Sequence, residues 1–159
     1  CSGPNKTPVA TAPKVITKEQ KLTKFEEGNK QMDAKQFQKA IETFESAHIN
    51  YPATTLDSLL LYNLGLSYQQ IDKCKKAYDT FRKVIAYSSQ KGPKLAARAQ
   101  LKSAQSLACL GQSEKALLVL LALHKNRRYL PPEIGEAEVP AQIAVLYARN
   151  NQNKIAKKL

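Results

Sequence analysis

The stretch Asn63-Leu64-Gly65-Leu66-Ser67-Tyr68, together with Ala77 and Phe81 a little further on, decides the fold of this chain. Gly65 and Ala77 lie twelve residues apart, and each is followed by an aromatic residue about one helical turn later. Residues three or four positions apart share one face of a helix. The spacing therefore predicts two helices joined by a tight turn, with small residues where the two backbones come close.

The same pattern occurs on both sides of this stretch. Successive equivalents of Gly65 are spaced by 37, 39 and 40 residues, and the series is Gly28, Gly65, Ala104 and Ala144. The equivalents of Ala77 are Ala40, Ala116 and Ala156. Three units are complete, and the fourth is partial. In the fourth unit Ala144 and Tyr147 take the places of Gly65 and Tyr68, and we expect its second helix to be a stub around Ala156.

This pattern resembles the tetratricopeptide repeat, a family in which pairs of antiparallel helices stack into a grooved superhelix. The segment from Gly111 to Ala116, a glycine followed five positions later by alanine, is typical of the turn in that family. The resemblance implies an all-α solenoid with three full repeats at about 20–53, 56–89 and 94–127 and a partial fourth at 136–159. The units exceed the standard length of about 34 residues, and the extra residues fall between units.

The charge and hydropathy of the chain limit its class. The net charge is +12, from 25 basic and 13 acidic residues, which predicts an electropositive surface. No apolar run reaches the roughly 20 residues that a membrane-spanning helix needs. The longest apolar run, 116–123, is short and flanked by Lys115 and His124, so we expect it to be a buried helix face.

The beginning of the sequence is similar to that of mature bacterial lipoproteins. Cys1 is followed by a polar, proline-rich stretch without hydrophobic periodicity. The resemblance implies a lipid on the Cys1 sulfur, with acyl chains such as palmitate, and a disordered tether at 1–17 before the repeat domain at 18–159. With Ser2 after the cysteine, it also implies an outer-membrane location facing the periplasm. The alternative is a chain that begins with cysteine for an unrelated reason.

Nothing in the sequence favours an enzyme. It has no glycine-rich phosphate loop, no cluster with metal-ligand spacing, and no pairing of a nucleophile with a base. His48 and His124 each lie eight residues after the alanine of a second helix. This position is near a helix C-terminus, where a cation is favourable. We therefore expect no catalytic residue, no metal and no cofactor.

The family resemblance bears on Cys74 and Cys109. It places Cys74 at the start of the second helix of repeat two and Cys109 at the end of the first helix of repeat three. Because these helices pack antiparallel in the family, a disulfide is one possibility, and it would suit an extracytoplasmic compartment. The alternative is two separate thiols that pack as small apolar groups.

The resemblance also indicates a binding groove on the concave face, lined by the first helix of each repeat. Family members that grip a peptide's C-terminal carboxylate carry polar and basic residues there, and the matching positions are Asn29, Asn63, Arg98 and Lys102. Phe25 stands where those members have a further lysine, although Lys24 is adjacent. Amides and cations on one wall suit an acidic or extended protein segment. Tyr62, Gln69 and Gln105 are expected to extend the wall.

A second basic cluster covers His124 to Tyr129 and is grouped with three lysines near the C-terminus, Lys154, Lys157 and Lys158. It is expected to face anionic lipid or glycan. Nucleic acid is not expected as a ligand, because the aromatic residues occupy core repeat positions and do not alternate with basic residues.

The sequence therefore predicts a non-enzymatic, membrane-anchored scaffold. It binds a partner protein in the repeat groove and serves the assembly of an outer-membrane or cell-envelope complex. The alternative is a soluble adaptor that grips acidic C-terminal peptides through a carboxylate clamp.

Overall fold

The computed structural model describes Gly3 and residues 15–158. In that part of the chain all regular structure is helical. The seven α-helices are α1 (Lys18–Asp33), α2 (Phe37–Glu45), α3 (Thr55–Gln70), α4 (Cys74–Lys91), α5 (Pro93–Cys109), α6 (Ser113–Lys125) and α7 (Val139–Lys157). A 3₁₀ turn (Arg127–Tyr129) and a π-helical turn (Glu133–Glu138) connect α6 to α7. The predicted lipid site at Cys1, and nearly all of the tether predicted at 1–17, lie outside the described residues.

The helices stack in pairs. Each helix packs on the next one along the chain, from α1 through α6 to α7. The first helices of the pairs also touch one another, α1 against α3 and α3 against α5. Since the elements that pack together most extensively are neighbours or next neighbours along the chain, the structure is a one-dimensional array, which confirms the predicted α-solenoid.

In the first two pairs, a glycine on the first helix lies against a phenylalanine sixteen residues later on the second helix. A methyl group added at Gly65 would lie 2.6 Å from the ring of Phe81, which is fully buried. Gly28 faces Phe44 in the same way. In the third pair, Ala104 and Leu120 occupy these places, both almost fully buried. Where the first helix carries glycine, the second carries the large phenylalanine. Where the first helix carries alanine, the second carries the smaller leucine.

The turns inside the three pairs share one backbone geometry. Each contains a residue with positive φ: Lys35 at 57°, Asp72 at 58° and Gly111 at 76°. The following amide then bonds to a carbonyl five residues back, as Lys73 does to Tyr68 at 2.9 Å. This is the left-handed C-cap that glycine favours, although glycine occupies it only at position 111.

Polar side chains fasten consecutive repeats to each other. The Tyr68 hydroxyl donates to the Glu45 carboxylate, which joins α3 to α2. Burial is the main reason why the pKa of Tyr68 is raised above its ordinary value. The hydrogen bond to Glu45 and the negative charge of Glu45 raise this pKa further. Gln69 on α3 donates to the Lys102 carbonyl and to the Ser106 hydroxyl of α5, both at 2.9 Å. The side-chain amide of Gln69, a residue expected to extend the groove wall, therefore also holds α3 and α5 together.

The fourth unit differs from the prediction. One continuous helix, α7, runs from Val139 to Lys157, so the expected turn and stub around Ala156 are wrong. Ala144 is exposed, and Tyr147 is 48% exposed. The segment between Ala144 and Ala156 contains no glycine or proline to end the helix. The buried side of α7 carries Val139 and Leu146.

The apolar run at 116–123 is only partly a buried face. Leu117, Leu120 and Leu123 are buried, but Leu118 points outward and is 68% exposed. Among the described residues, no helix is both long enough and apolar enough to cross a bilayer.

Replacing Gly65 with alanine tests the glycine–phenylalanine contact. We expect Gly65→Ala to lower the free energy of unfolding by about 1–3 kcal/mol, because the new methyl group forces the Phe81 ring out of its place. Urea unfolding followed by circular dichroism measures the change. Gly92→Ala is the matched control, since a Cβ there meets nothing nearer than 3.9 Å. Equal losses in the two variants would contradict the proposed role of the contact.

Candidate protein-binding groove

The first helices of the repeats bring two of the predicted groove residues together. Asn63 on α3 donates its Nδ2 hydrogen to Oδ1 of Asn29 on α1, at 2.7 Å. Both side chains are half-buried. This bond leaves the side-chain Nδ2 of Asn29 and the side-chain Oδ1 of Asn63 without a partner among the described residues. The pair is therefore a fixed polar surface that still has a donor and an acceptor to offer.

The two predicted cations lie on α5, which is the first helix of repeat three. Arg98 and Lys102 are one turn apart on α5, and neither forms an ion pair with a described residue. Arg98 is close enough to Tyr62 for its charge to act on the phenol: burial raises the pKa of Tyr62, and the positive charge of Arg98 opposes that rise. Since Tyr62 belongs to α3, this places Arg98 near that helix, which packs against α5. The structure gives neither cation a direct contact with the Asn29–Asn63 pair.

An apolar pocket that the sequence did not predict opens between α5 and α7. Its volume is about 340 Å³. Its apolar lining comprises Ala104, Ala108, Leu120, Ala141, Val145 and Leu146, and its polar lining comprises Gln105, Glu138, Gln142 and Arg149. Gln105, predicted as part of the wall, thus lines this pocket. The only sequence signal for the pocket was Gln105, which shares a face of α5 with Lys102. The rest of the lining comes from α7, and its packing position could not be read from the sequence.

A buried ion pair joins α1 to α3, the first helices of repeats one and two. Lys21 Nζ on α1 lies 2.7 Å from Oδ1 of Asp57, whose side chain is 2% exposed. The second carboxylate oxygen accepts the amides of Ala53 at 2.9 Å and Thr54 at 3.2 Å. Burial alone would raise the pKa of Asp57, but Lys21 and these two amides together bring it below the ordinary value. The pair fixes the wall that carries Asn29 and Asn63.

The cysteines lie where the family resemblance placed them. Cys74 is the first residue of α4 and Cys109 the last of α5. Their Cα atoms are 6.1 Å apart, within the usual range for a disulfide, and the structure joins their sulfurs. The bond links repeat two to repeat three.

The histidines and the second basic cluster do not form a site. His48 is exposed beyond the end of α2, and His124 lies in the last turn of α6 with Nδ1 buried and unpartnered. Within residues 15–158 no group of three potential metal ligands occurs. Lys154 and Lys157 lie beside the start of α6, whereas Arg127 and Arg128 follow its end. The predicted grouping is therefore wrong, because α7 runs antiparallel to α6.

Comparison with known proteins supports the fold. No protein-family model and no curated protein matches the chain. A search of solved structures finds the crystal structure of a TPR-like protein from Chlorobium tepidum, with a TM-score of 0.60 and 16% sequence identity. The alignment covers 86% of this chain and 95% of that one. The chain has a tetratricopeptide-like fold. At this identity the likeness concerns the fold alone.

The pKa of Asp57 predicts an acid-sensitive stability. An unfolded aspartate titrates near pH 3.9, and the folded value is lower. The contribution of Asp57 is therefore complete above about pH 5 and is lost as the pH falls through the folded pKa. We expect Asp57→Asn to reduce the slope of unfolding free energy against pH below about pH 5, measured by urea unfolding. Asp79→Asn removes an exposed carboxylate paired with Lys75 and serves as the control. An unchanged slope in Asp57→Asn would contradict this assignment.

Removal of the disulfide is expected to weaken the centre of the array. The bond closes a segment whose ends are 35 residues apart, and a loop of that length corresponds to about 3–4 kcal/mol of stabilisation. The combined variant Cys74→Ser and Cys109→Ser should unfold at a correspondingly lower urea concentration. Dithiothreitol should lower the midpoint of the unmodified chain and leave that of the variant unchanged. A midpoint insensitive to the reductant in both chains would mean that the bond does not contribute.

Proposed function

We propose that this chain is a non-enzymatic scaffold that binds an acidic segment of a partner protein in the groove formed by α1, α3 and α5. The TPR-like fold supports protein binding as the general function. The observation that carries the finer proposal is the pair of cations, Arg98 and Lys102, which have no acidic partner among the described residues and lie on the helix next to the Asn29–Asn63 pair.

The electrostatics of the wall favour an acidic ligand. The chain carries a net charge of +12, which attracts acidic segments over a long range. At short range, Arg98 and Lys102 can donate charge-assisted hydrogen bonds to carboxylates, and these bonds are stronger than those between neutral groups. The side-chain Nδ2 of Asn29 and the side-chain Oδ1 of Asn63 suit the peptide backbone of the same ligand.

The pocket between α5 and α7 adds an apolar requirement. Arg98, Lys102 and Gln105 follow one another on a single face of α5, and Gln105 lines the pocket. From Arg98 to Ala108 the helix rises about 15 Å, which four to five residues of an extended peptide would span. The preferred ligand therefore has acidic residues for the cations and an apolar side chain, a few residues away, for the pocket.

The proposed location is the periplasmic side of the bacterial outer membrane, with a lipid on Cys1 as the anchor. The support is the lipoprotein-like beginning of the sequence, and the Cys74–Cys109 bond suits an oxidising compartment. In this setting the scaffold serves the assembly of a cell-envelope complex. Mass spectrometry of the native N-terminus should find acyl chains on Cys1, and Cys1→Ser should release the protein from membranes. An unmodified native cysteine would remove the anchor from the proposal.

The second candidate is a soluble adaptor that clamps the C-terminal carboxylate of a peptide. The Arg98–Lys102 pair favours it. Two features weigh against it: Phe25 packs against the core where a clamp would have lysine, and Asn29 and Asn63 already bond to each other. The two candidates differ in whether the ligand needs a free C-terminus.

The groove is tested with a displayed library of random peptides. We expect enrichment of peptides with acidic residues and one apolar side chain, measured afterwards by fluorescence anisotropy. The combined variant Arg98→Glu and Lys102→Glu should bind at least tenfold more weakly, roughly the effect of losing one charge-assisted bond. Lys115→Glu with Lys125→Glu makes the same charge change on the exposed side of α6 and should bind normally.

The outcome of this experiment separates the candidates. Equal loss of binding in the two charge variants would show a general charge effect and overturn the groove proposal. Amidation of the peptide C-terminus should leave binding unchanged under the preferred candidate and abolish it under the clamp.

A further inference from the structure

Helix α7 has a side that no described helix covers. Its core side packs into the second hydrophobic cluster through Val139, Ile143 and Leu146. Gln142, Val145 and Arg149 line the pocket against α5. The remaining side, which we name the open face, carries Ala144, Tyr147, Ala148, Asn151 and Ile155, all of them exposed. Two of these are large and apolar, with Tyr147 48% and Ile155 63% exposed.

The open face corresponds to a helix-packing surface in the other repeats. Gly65 of α3 receives the ring of Phe81, and Gly28 of α1 receives that of Phe44. Ala144 occupies the same place in α7, but no described residue packs there. An apolar helix surface at a position where the other repeats bury theirs indicates a site for another helix.

The two ends of this segment carry opposite charges. Glu133, Glu136 and Glu138 are exposed before and at the start of α7, and Lys154, Lys157 and Lys158 are exposed at its end. None of the six forms an ion pair with a described residue. Such a helix is complementary in charge to an antiparallel copy of itself, whereas a parallel copy would place like charges together.

We propose that the open face is covered by a second copy of this chain. The α7 helices of the two copies pair antiparallel about a two-fold axis near Tyr147 and Ala148. Glu136 and Lys158 lie eleven residues on either side of Tyr147, so the acidic end of each helix lies beside the basic end of the other copy. The spacing of Ala144, Ala148, Asn151 and Ile155 alternates four and three residues, the repeat that keeps two helices in contact along their length.

The pairing leaves the groove available. The open face shares no residue with the pocket between α5 and α7, nor with the wall of Asn29, Asn63, Arg98 and Lys102. The dimer is therefore independent of the proposed peptide binding, and it would present two grooves.

Sedimentation equilibrium of the 159-residue chain, from about 1 to 200 µM, tests the proposal. We expect a reversible monomer–dimer equilibrium, with Ile155→Asp raising the dissociation constant by at least tenfold, roughly the effect of burying one unpaired charge. Leu118→Asp changes an equally exposed apolar residue on α6 and should leave the constant unchanged. Circular dichroism checks that both variants retain their helices. A monomer at every concentration, or equal weakening by the two variants, would overturn the proposal.

Charge reversal tests the antiparallel arrangement. Glu136→Lys and Lys158→Glu should each weaken the dimer, and the combined variant should restore it to within about threefold, because both pairs are re-formed with opposite polarity. A combined variant as weak as either single one would exclude this arrangement. In a Cys1→Ser background, Ala148→Cys near the axis should form a disulfide-linked dimer under mild oxidation, while Ala122→Cys on the exposed side of α6 should not. The reverse result would place the interface elsewhere.

Discussion

The contact of a phenylalanine ring with the backbone of a glycine on the neighbouring helix sets the geometry of the repeats. At Gly65 and Gly28 the absence of a side chain lets the second helix approach until the ring lies against the first helix. That approach sets the distance between the axes of the two helices in a pair. The turn with a positive φ sets the direction in which the second helix runs back along the first. In the third pair, Ala104 and Leu120 occupy the positions of the glycine and the phenylalanine, and both are almost fully buried.

The repeat register was predictable from sequence because it depends on short-range spacing. The helix pairs and the positions of Gly28, Gly65 and Ala104 follow from residues four, twelve and sixteen apart. Contacts between repeats were not predictable in this way. The stretch from Thr54 to Asp57 is recognisable as a helix cap, but the partnership of Asp57 with Lys21 requires the packing of α1 on α3. In α7, spacing alone did not reveal that the helix continues through Ala156.

The candidate site was also only partly predictable from the sequence. Its four residues were identified by register, and the structure adds which groups remain available. Asn29 and Asn63 use part of their hydrogen-bonding capacity on each other, and the Nε2 group of Gln69 bonds within the fold. Arg98 and Lys102 keep their charges free of ion pairs with described residues. The pocket beside them was missed because it is formed by two helices about forty residues apart in the chain.

The Cys74–Cys109 bond has a mechanical consequence. It joins the start of one helix to the end of the next, so α4 and α5 lie inside a closed loop whose ends are 35 residues apart. A solenoid pulled from its two ends transmits the load through every repeat in series. The bond carries the load across this loop, so roughly 120 Å of contour length, at about 3.5 Å per residue, is withheld from extension. The two enclosed helices, α4 and the α5 that carries Arg98 and Lys102, are thus the part of the array least able to unravel under tension.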